Sequence, residues 1–407
     1  MTQGKLFTLS LVLFLIFLFS ISLISFYEIK TLSSEILSLR SSISSMNSSL
    51  LLQQNKLNNY LNLTISSINN VSHDLAYEVN NINKTLNEKI NVLKIETSFP
   101  VLIVDALNKT VYIPYQPHRI VSLDPSSTLD ILALGYGKYL VGVDNDSIYY
   151  LPYPYNNTIF QLYKNKTVTD IGSTYTGADI EQILALRPDL VIGSEGWGYD
   201  NYISEILNQY GIPVLLLPSM NSISDIYKSV LMTGEAIGNG YKASILVYNM
   251  SSEIFNITNK VINVKPINVT IIGWINPTYA TGGNNFINSL ISLANGRNIF
   301  SNISGWPVIS PEELLNANPS VIIIVSNYFN QTSLYQWLNS SIGNAYLNIN
   351  AIKNNRVYVI SGYYQSIIDE PSVYAPLALK LIAEILYPSN FNVTVPNNIN
   401  PSNFNLG

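Results

Sequence analysis

One segment of this chain is written twice. EQILALRPDLVIG, starting at Glu181, and EELLNANPSVIII, starting at Glu312, share the distance from Glu to Pro and the apolar run that follows it. Each copy reads as a short helix ended by proline and followed at once by a strand apolar on both faces. Such a strand belongs inside a parallel sheet covered by helices. Two copies far apart in the chain therefore imply two α/β lobes built on one plan. Asp179 or Ser310 can cap the helix, Glu181 or Glu312 falls in its first turn, and Pro188 or Pro319 breaks the chain before the strand. The two glutamates thus hold equivalent positions, where each complements a helix dipole.

The sequence around the copies continues the pattern. VLIVDALNKTVYIP, from Val101, predicts a hairpin, and the stretch from Arg119 predicts a strand at Ile120 to Leu123, a Pro/Ser turn and a helix from about Thr128. A strand at Leu140 to Val143 closes a βαβ unit. Helices and strands alternate to Ile237, a long helix is expected from Tyr241 to about Val261, and a strand at Val269 to Gly273 opens the second series. The tail from about Pro388 is rich in Asn, Pro and Ser without periodicity and reads as flexible.

The amino-terminal quarter differs. Leu6 to Phe26 carries no charge, follows Lys5, lacks a small-residue cleavage site and is long enough to span a membrane, so it reads as an uncleaved anchor before the bland alternative, a cleaved signal peptide. Ile36, Leu39, Ile43, Met46, Leu50 and Leu57 then keep a 3,4 spacing, which Leu61, Ile65, Ile68, Leu75, Val79, Ile82, Leu86 and Leu93 resume after a phase slip. No Gly or Pro interrupts this stretch. It reads as a coiled-coil stalk whose seam implies a homo-oligomer; the bland alternative is an amphipathic helix packed on its own protein. His73 reads as a solvated stalk residue. About fifteen Asn-x-Ser/Thr sequons, Asn47, Asn156 and Asn268 among them, follow the anchor. Together with the anchor they suggest a glycosylated extracellular protein, and we read the source as archaeal.

Composition removes several functions. Charged residues are 12% of the 407, the net charge is -5, and no Lys/Arg cluster occurs, so nucleic acid is not an expected partner. With no cysteine the chain has neither thiolate ligands nor a lipid-modified cysteine. His118 is the only histidine of the globular part, so no Ser/His/Asp triad, histidine metal site or resident cofactor is expected. Asp369 and Glu370 precede Pro371 and read as the amino-terminal charge of the final helix. A cell-surface structural or adhesion protein is the competing class, and a cell-surface enzyme ranks behind it. Adhesion would explain the stalk but not the duplication.

PHRIVSLDPSSTLDILALG, GSTYTGADIEQILALRPDLVIG, INPTYATGG, GWPVISPEEL and NNRVYVISGYY, in unbroken order over about residues 117 to 388, resemble the cobalamin, ferric-siderophore and haem binding proteins of ABC importers. The resemblance implies two α/β lobes joined by one long helix, a metal chelate in the cleft between them, and an ABC permease as partner. It also implies that Glu181 and Glu312 dock with permease arginines. The expected organisation is then a transmembrane anchor (1–30), coiled-coil stalk (31–96), first α/β lobe (97–238), interlobe helix (239–264), second α/β lobe (265–388) and flexible tail (389–407).

Ligands of open α/β sheets sit at the carboxyl ends of the strands. The loops expected there supply Pro125, Ser126 and Ser127, then Tyr149 within 146–150, Tyr175 within 174–176, Trp274 and Tyr279 within 274–281, and Tyr363 beside Tyr364, with Trp197 and Trp306 in further loops. Tyr175, Tyr279 and Trp306 stand where the resemblance places aromatics against a corrin. Flat aromatic faces suit a large, partly apolar ligand. Arg119, Arg187 and Arg356 border strands and Arg297 lies in a turn, so a neutral chelate, corrinoid before ferric siderophore, is expected.

Overall fold

The computed structural model describes residues 3–93 and 99–405, with side chains described for 11–64, Val79 and 99–405. The chain divides into two compact units, Met1–Lys94 and Ile95–Gly407.

The first unit is one α-helix, Gln3–Leu93, roughly 135 Å long at the rise of an α-helix. Its span Leu11–Thr64 contains a window of mean hydropathy 2.3, long and apolar enough to cross a membrane. Ile36, Leu39, Ile43, Met46, Leu50, Leu57 and Leu61 are all exposed on it. The side chains of Ile65, Ile68, His73, Leu75, Ile82, Leu86 and Leu93, and the expected boundary at 96/97, lie outside the described residues.

The second unit opens with the expected hairpin, Val101–Val104 against Thr110–Ile113. Its strands bury alternate residues, Val101 and Ile103 facing Val111 and Ile113 on the core side. A five-stranded sheet follows in the order 169–170, 140–143, 120–122, 190–194, 214–217, with every pairing parallel. The order reverses at the central strand Ile120–Ser122, whose residues are fully buried. Helices Pro125–Ala133, Ile180–Ala185 and Asp200–Gln209 lie on crossovers between its strands, and Ile223–Ala236 follows the last of them.

Helix Gly240–Val261 then leads to a second sheet of seven strands. Ile267–Trp274, Val321–Val325 and Val357–Ile360 form its parallel centre. Thr278–Ala280 turns back antiparallel on Ile267–Trp274 and pairs on its other side with Val308–Ile309. The second unit therefore has two α/β lobes with a long helix between them in sequence.

Five local expectations need correction. Asp124 caps the helix after the first strand and Pro125 is its first residue, so Pro125, Ser126 and Ser127 form a helical turn and not a loop. A capping carboxylate followed by a proline whose φ is already helical starts a helix early. Asp144 likewise caps helix Asn145–Tyr149, so most of 146–150 is helical and not a loop. Tyr279 stands on a strand, and Tyr363 begins helix Tyr363–Asp369. The tail is not loose: Asn398–Ile399 adds a parallel strand beside Val359 and Ile360, and Ile399 and Phe404 are buried.

Candidate functional site

A cleft of about 390 Å³ opens between the two lobes, within the range of small-molecule sites. The first lobe contributes Asp124 to Ser126, Ser194 to Trp197 and Ser219 to Asn221, each group just past the carboxyl end of a parallel strand. The second lobe contributes Asn285 to Ile287, Trp306 and Asp369 to Pro371. Direct bonds join the lobes beside it, Ser289 Oγ donating to the Asn221 carbonyl at 3.2 Å and Tyr374 Oη to the Tyr153 carbonyl at 2.9 Å.

A buried polar network fixes the first-lobe wall. The Asp124 carboxylate accepts from Ser127 N at 2.8 Å, Ser127 Oγ at 2.6 Å and Ser194 Oγ at 3.0 Å, tying the helix start to the next strand. Ser194 N donates in turn to Asp200 at 2.9 Å. Gly193 permits that approach, since a Cβ there would lie 2.6 Å from the Asp200 carboxylate. Beneath, Thr128 donates to Ser122 at 2.8 Å and Ser147 donates to Thr128 at 2.9 Å, carrying the network to Asp144. Burial pushes the carboxyls of Asp124 and Asp144 up, and that of Asp200 to about 9, against the hydrogen bonds that lower them. Asp130, capped by Ser229, is pushed up to about 8.

Two tryptophans face the cleft from opposite lobes. Trp197 follows the strand Leu190–Ser194 and packs against Tyr175 with ring centres 5.9 Å apart. Trp306 lies over strand Ile267–Trp274 at Gly273, where a Cβ would come within 3.0 Å of the indole. A side chain at 273 would push the ring off the strand.

Of the ten ligand-site positions expected from sequence, the cleft lining brings together Pro125, Ser126, Trp197 and Trp306. Ser127 is fully buried in the network beneath. Tyr175 stands behind Trp197, more exposed than it. Tyr149 packs edge-on against Phe160 and Tyr163, and Trp274 edge-on against Phe329 at 4.8 Å. Tyr279 is exposed on its strand. Tyr363 lies between Tyr153 and Tyr364. Glu181 and Glu312 are exposed second residues of helices Ile180–Ala185 and Pro311–Ala317, capped by Asp179 and Ser310.

No lining residue is Lys, Arg or His. Arg119 donates to the Leu186 carbonyl, and Arg356 to the carbonyls of Ile385 and Leu386 at 3.0 and 2.8 Å. These two arginines brace helix ends, as their places beside strands suggest. The acidic residues of the wall were the ones sequence reasoning misplaced. Asp369 and Glu370 stand at the carboxyl end of helix Tyr363–Asp369, while the next helix begins only at Ala375. Pro371 imitates an N1 proline. The signal that identifies the earlier helix is Gly362, at φ 67°, followed by the buried Tyr364, Ile367 and Ile368 at helical spacing.

A family profile described as periplasmic binding protein matches residues 120–364. An ABC transporter substrate-binding lipoprotein of Bacillus subtilis, itself uncharacterised, is 28% identical over 298 residues, 72% of this chain and 87% of that protein. A cobalamin-binding protein of Halobacterium salinarum is 26% identical over 229 residues, 56% of this chain and 58% of its own length. Among solved structures, the periplasmic vitamin B12 binding protein of Vibrio cholerae superposes with TM-score 0.55 at 19% identity, covering 68% of this chain and 99% of that one. A periplasmic haem binding protein of Pseudomonas aeruginosa superposes with TM-score 0.56 at 21% identity, covering 67% and 94%. These two structures show the shared fold.

Proposed function

We propose that this chain, which belongs to the periplasmic binding protein family, is the substrate-binding protein of an ABC importer and captures a metal chelate in its interlobe cleft. Membership makes it a solute-binding protein and not an enzyme. The observation that carries the proposal is that both lobes line one cleft, with Trp197 on one side and Trp306 on the other. Two flat faces on opposite sides of a cleft suit a large planar or globular chelate, since an indole buries much apolar area and keeps one N–H for the ligand's rim. A corrinoid is favoured over a ferric siderophore or haem, in line with the cobalamin-binding relative and with a lining free of basic residues.

The remaining parts have roles on the same reading. Gln3–Leu93 anchors the protein by its apolar part and self-associates through its exposed stripe, with the globular unit outside the cell. Glu181 and Glu312 dock to the permease. The binding claim is tested by titrating tryptophan fluorescence with cyanocobalamin, haemin and ferrioxamine B. Quenching by at least one of them, lost in Trp197→Ala and Trp306→Ala by about tenfold or more in affinity, is expected. No response to any of the three sinks it.

A further inference from the structure

The cleft is acidic on both sides. Glu195 and Asp124 line it from the first lobe, Asp369 and Glu370 from the second, with no cation among the lining residues. Asp124 is held by Ser127 and Ser194, Glu195 by Ser219, and Asp369 accepts from Gln365 Nε2 at 3.1 Å. Among the described residues Glu370 has no hydrogen-bond partner for its carboxyl. Burial first, then the neighbouring acids Asp369, Asp144, Asp124 and Asp146, disfavour a charge on it. The pair also sits at a helix carboxyl end, where the dipole disfavours negative charge. Neither the fold nor the helix gains from it. Among the described residues no three of these carboxylates converge closely enough to chelate a bare metal ion, so a larger molecule must answer them.

Resting on the binding reading above, we infer that the cleft selects a ligand whose rim presents N–H donors or positive charge, carboxamides or an ammonium, seated against Glu370 and Asp369. A chelate rimmed by carboxylates is disfavoured. The donors of such a rim satisfy the unpartnered carboxyl of Glu370 and favour its ionised form, and a carboxylate rim would oppose that ionisation. Asp369 is exposed to the cleft, yet the protein mass around it pushes its carboxyl up to about 7, and burial with the neighbouring acids raises Glu370 well above the usual carboxyl range. A donor ligand favours the ionised forms, so its affinity rises as pH goes from 5 to 8 and binding releases protons. A carboxylate-rimmed ligand would show the opposite slope.

The test uses the full chain in detergent, with cyanocobalamin for the carboxamide rim, ferrioxamine B for the ammonium and haemin for the carboxylate rim. The expected result is tighter binding of one or both of the first two than of haemin and a rising affinity with pH. In D369N/E370Q, and in each single variant should the double variant not fold, that ligand should bind about tenfold or more weakly with a flattened pH profile. Haemin binding more tightly than the other two, or a preference and slope unchanged in the variants, overturns the inference and leaves the binding reading standing. No binding of any probe overturns both.

Discussion

Asp130 is buried on helix Pro125–Ala133 with one carboxylate oxygen bonded to Ser229 and the other without a partner. Burial raises its pKa to about 8, and Asp124 adds to the shift. The folded state therefore holds a proton that the unfolded chain gives up near pH 4. Between those limits the native state binds more protons than the unfolded one, so this group's contribution to stability is complete at acid pH and drains away as pH rises to about 8. Asp124, Asp144 and Asp200 are raised too and act in the same direction. Thermal unfolding should show a falling midpoint from pH 5 to pH 8. Asp130→Asn, which supplies the shape of the protonated acid, should flatten that fall and raise the midpoint at pH 8 by about 2–4 °C per kcal/mol regained. A variant with the wild-type slope would mean that Asp130 is ionised. None of this was legible in the sequence, where an aspartate in a helix looks solvated; only the fold, which sets Ser229 of helix Ile223–Ala236 against it, makes it a buried acid.

Helices announce themselves in this chain by apolar spacing, but their ends are set by single side chains that bond a few backbone groups. That is why the duplicated segment is correctly read while Asp124 and Asp144 start helices earlier than the apolar pattern does. Cleft residues standing in true loops, Trp197 and Trp306, were legible for the same reason that Tyr363 was mistaken for one. The tail shows the limit of composition: a polar, aperiodic segment docks because Ile399 and Phe404 find an open sheet edge and Tyr364 Oη donates to the Phe404 carbonyl at 2.8 Å. Ending the chain after Asn397 should cost about 2–4 kcal/mol, chiefly the two buried apolar side chains, and urea unfolding would read it as a lower midpoint. An unchanged midpoint would restore the flexible tail. The equivalent helix starts carry a further prediction. Glu181 and Glu312 are exposed on different lobes and outside the cleft lining, so E181Q/E312Q should fold and bind ligand nearly as wild type, losing at most about 1 kcal/mol of dipole stabilisation. Uptake by cells should fall about tenfold or more, because permease arginines lose charged partners on both lobes. Normal uptake would reduce both glutamates to helix-end stabilisers.

At the scale of the molecule the unanswered surface is on the first unit. Ile36, Leu39, Ile43, Met46, Leu50, Leu57 and Leu61 are each more than half exposed on the helix Gln3–Leu93. Their 3,4 spacing puts them in one stripe that drifts slowly around a straight helix, the pattern that supercoiling with a second copy converts into a continuous seam. A membrane can cover the uncharged Leu11 to Phe26 but not Glu35 and Arg40, which flank the first stripe residues. A second copy offers the same spacing with no further component, and on the proposed reading it covers the stripe. Burying seven such side chains yields about 1.5 kcal/mol or more each before ordering costs, enough for association at micromolar concentration. A chain beginning at residue 31 should therefore sediment at equilibrium as an oligomer, and one beginning at residue 97 as a monomer. Leu39→Asp with Leu50→Asp, placing charges on two seam positions, should return the longer chain to monomer without changing cyanocobalamin binding by the lobes. A monomeric longer chain at micromolar concentration would remove self-association and leave the stripe to pack on another partner.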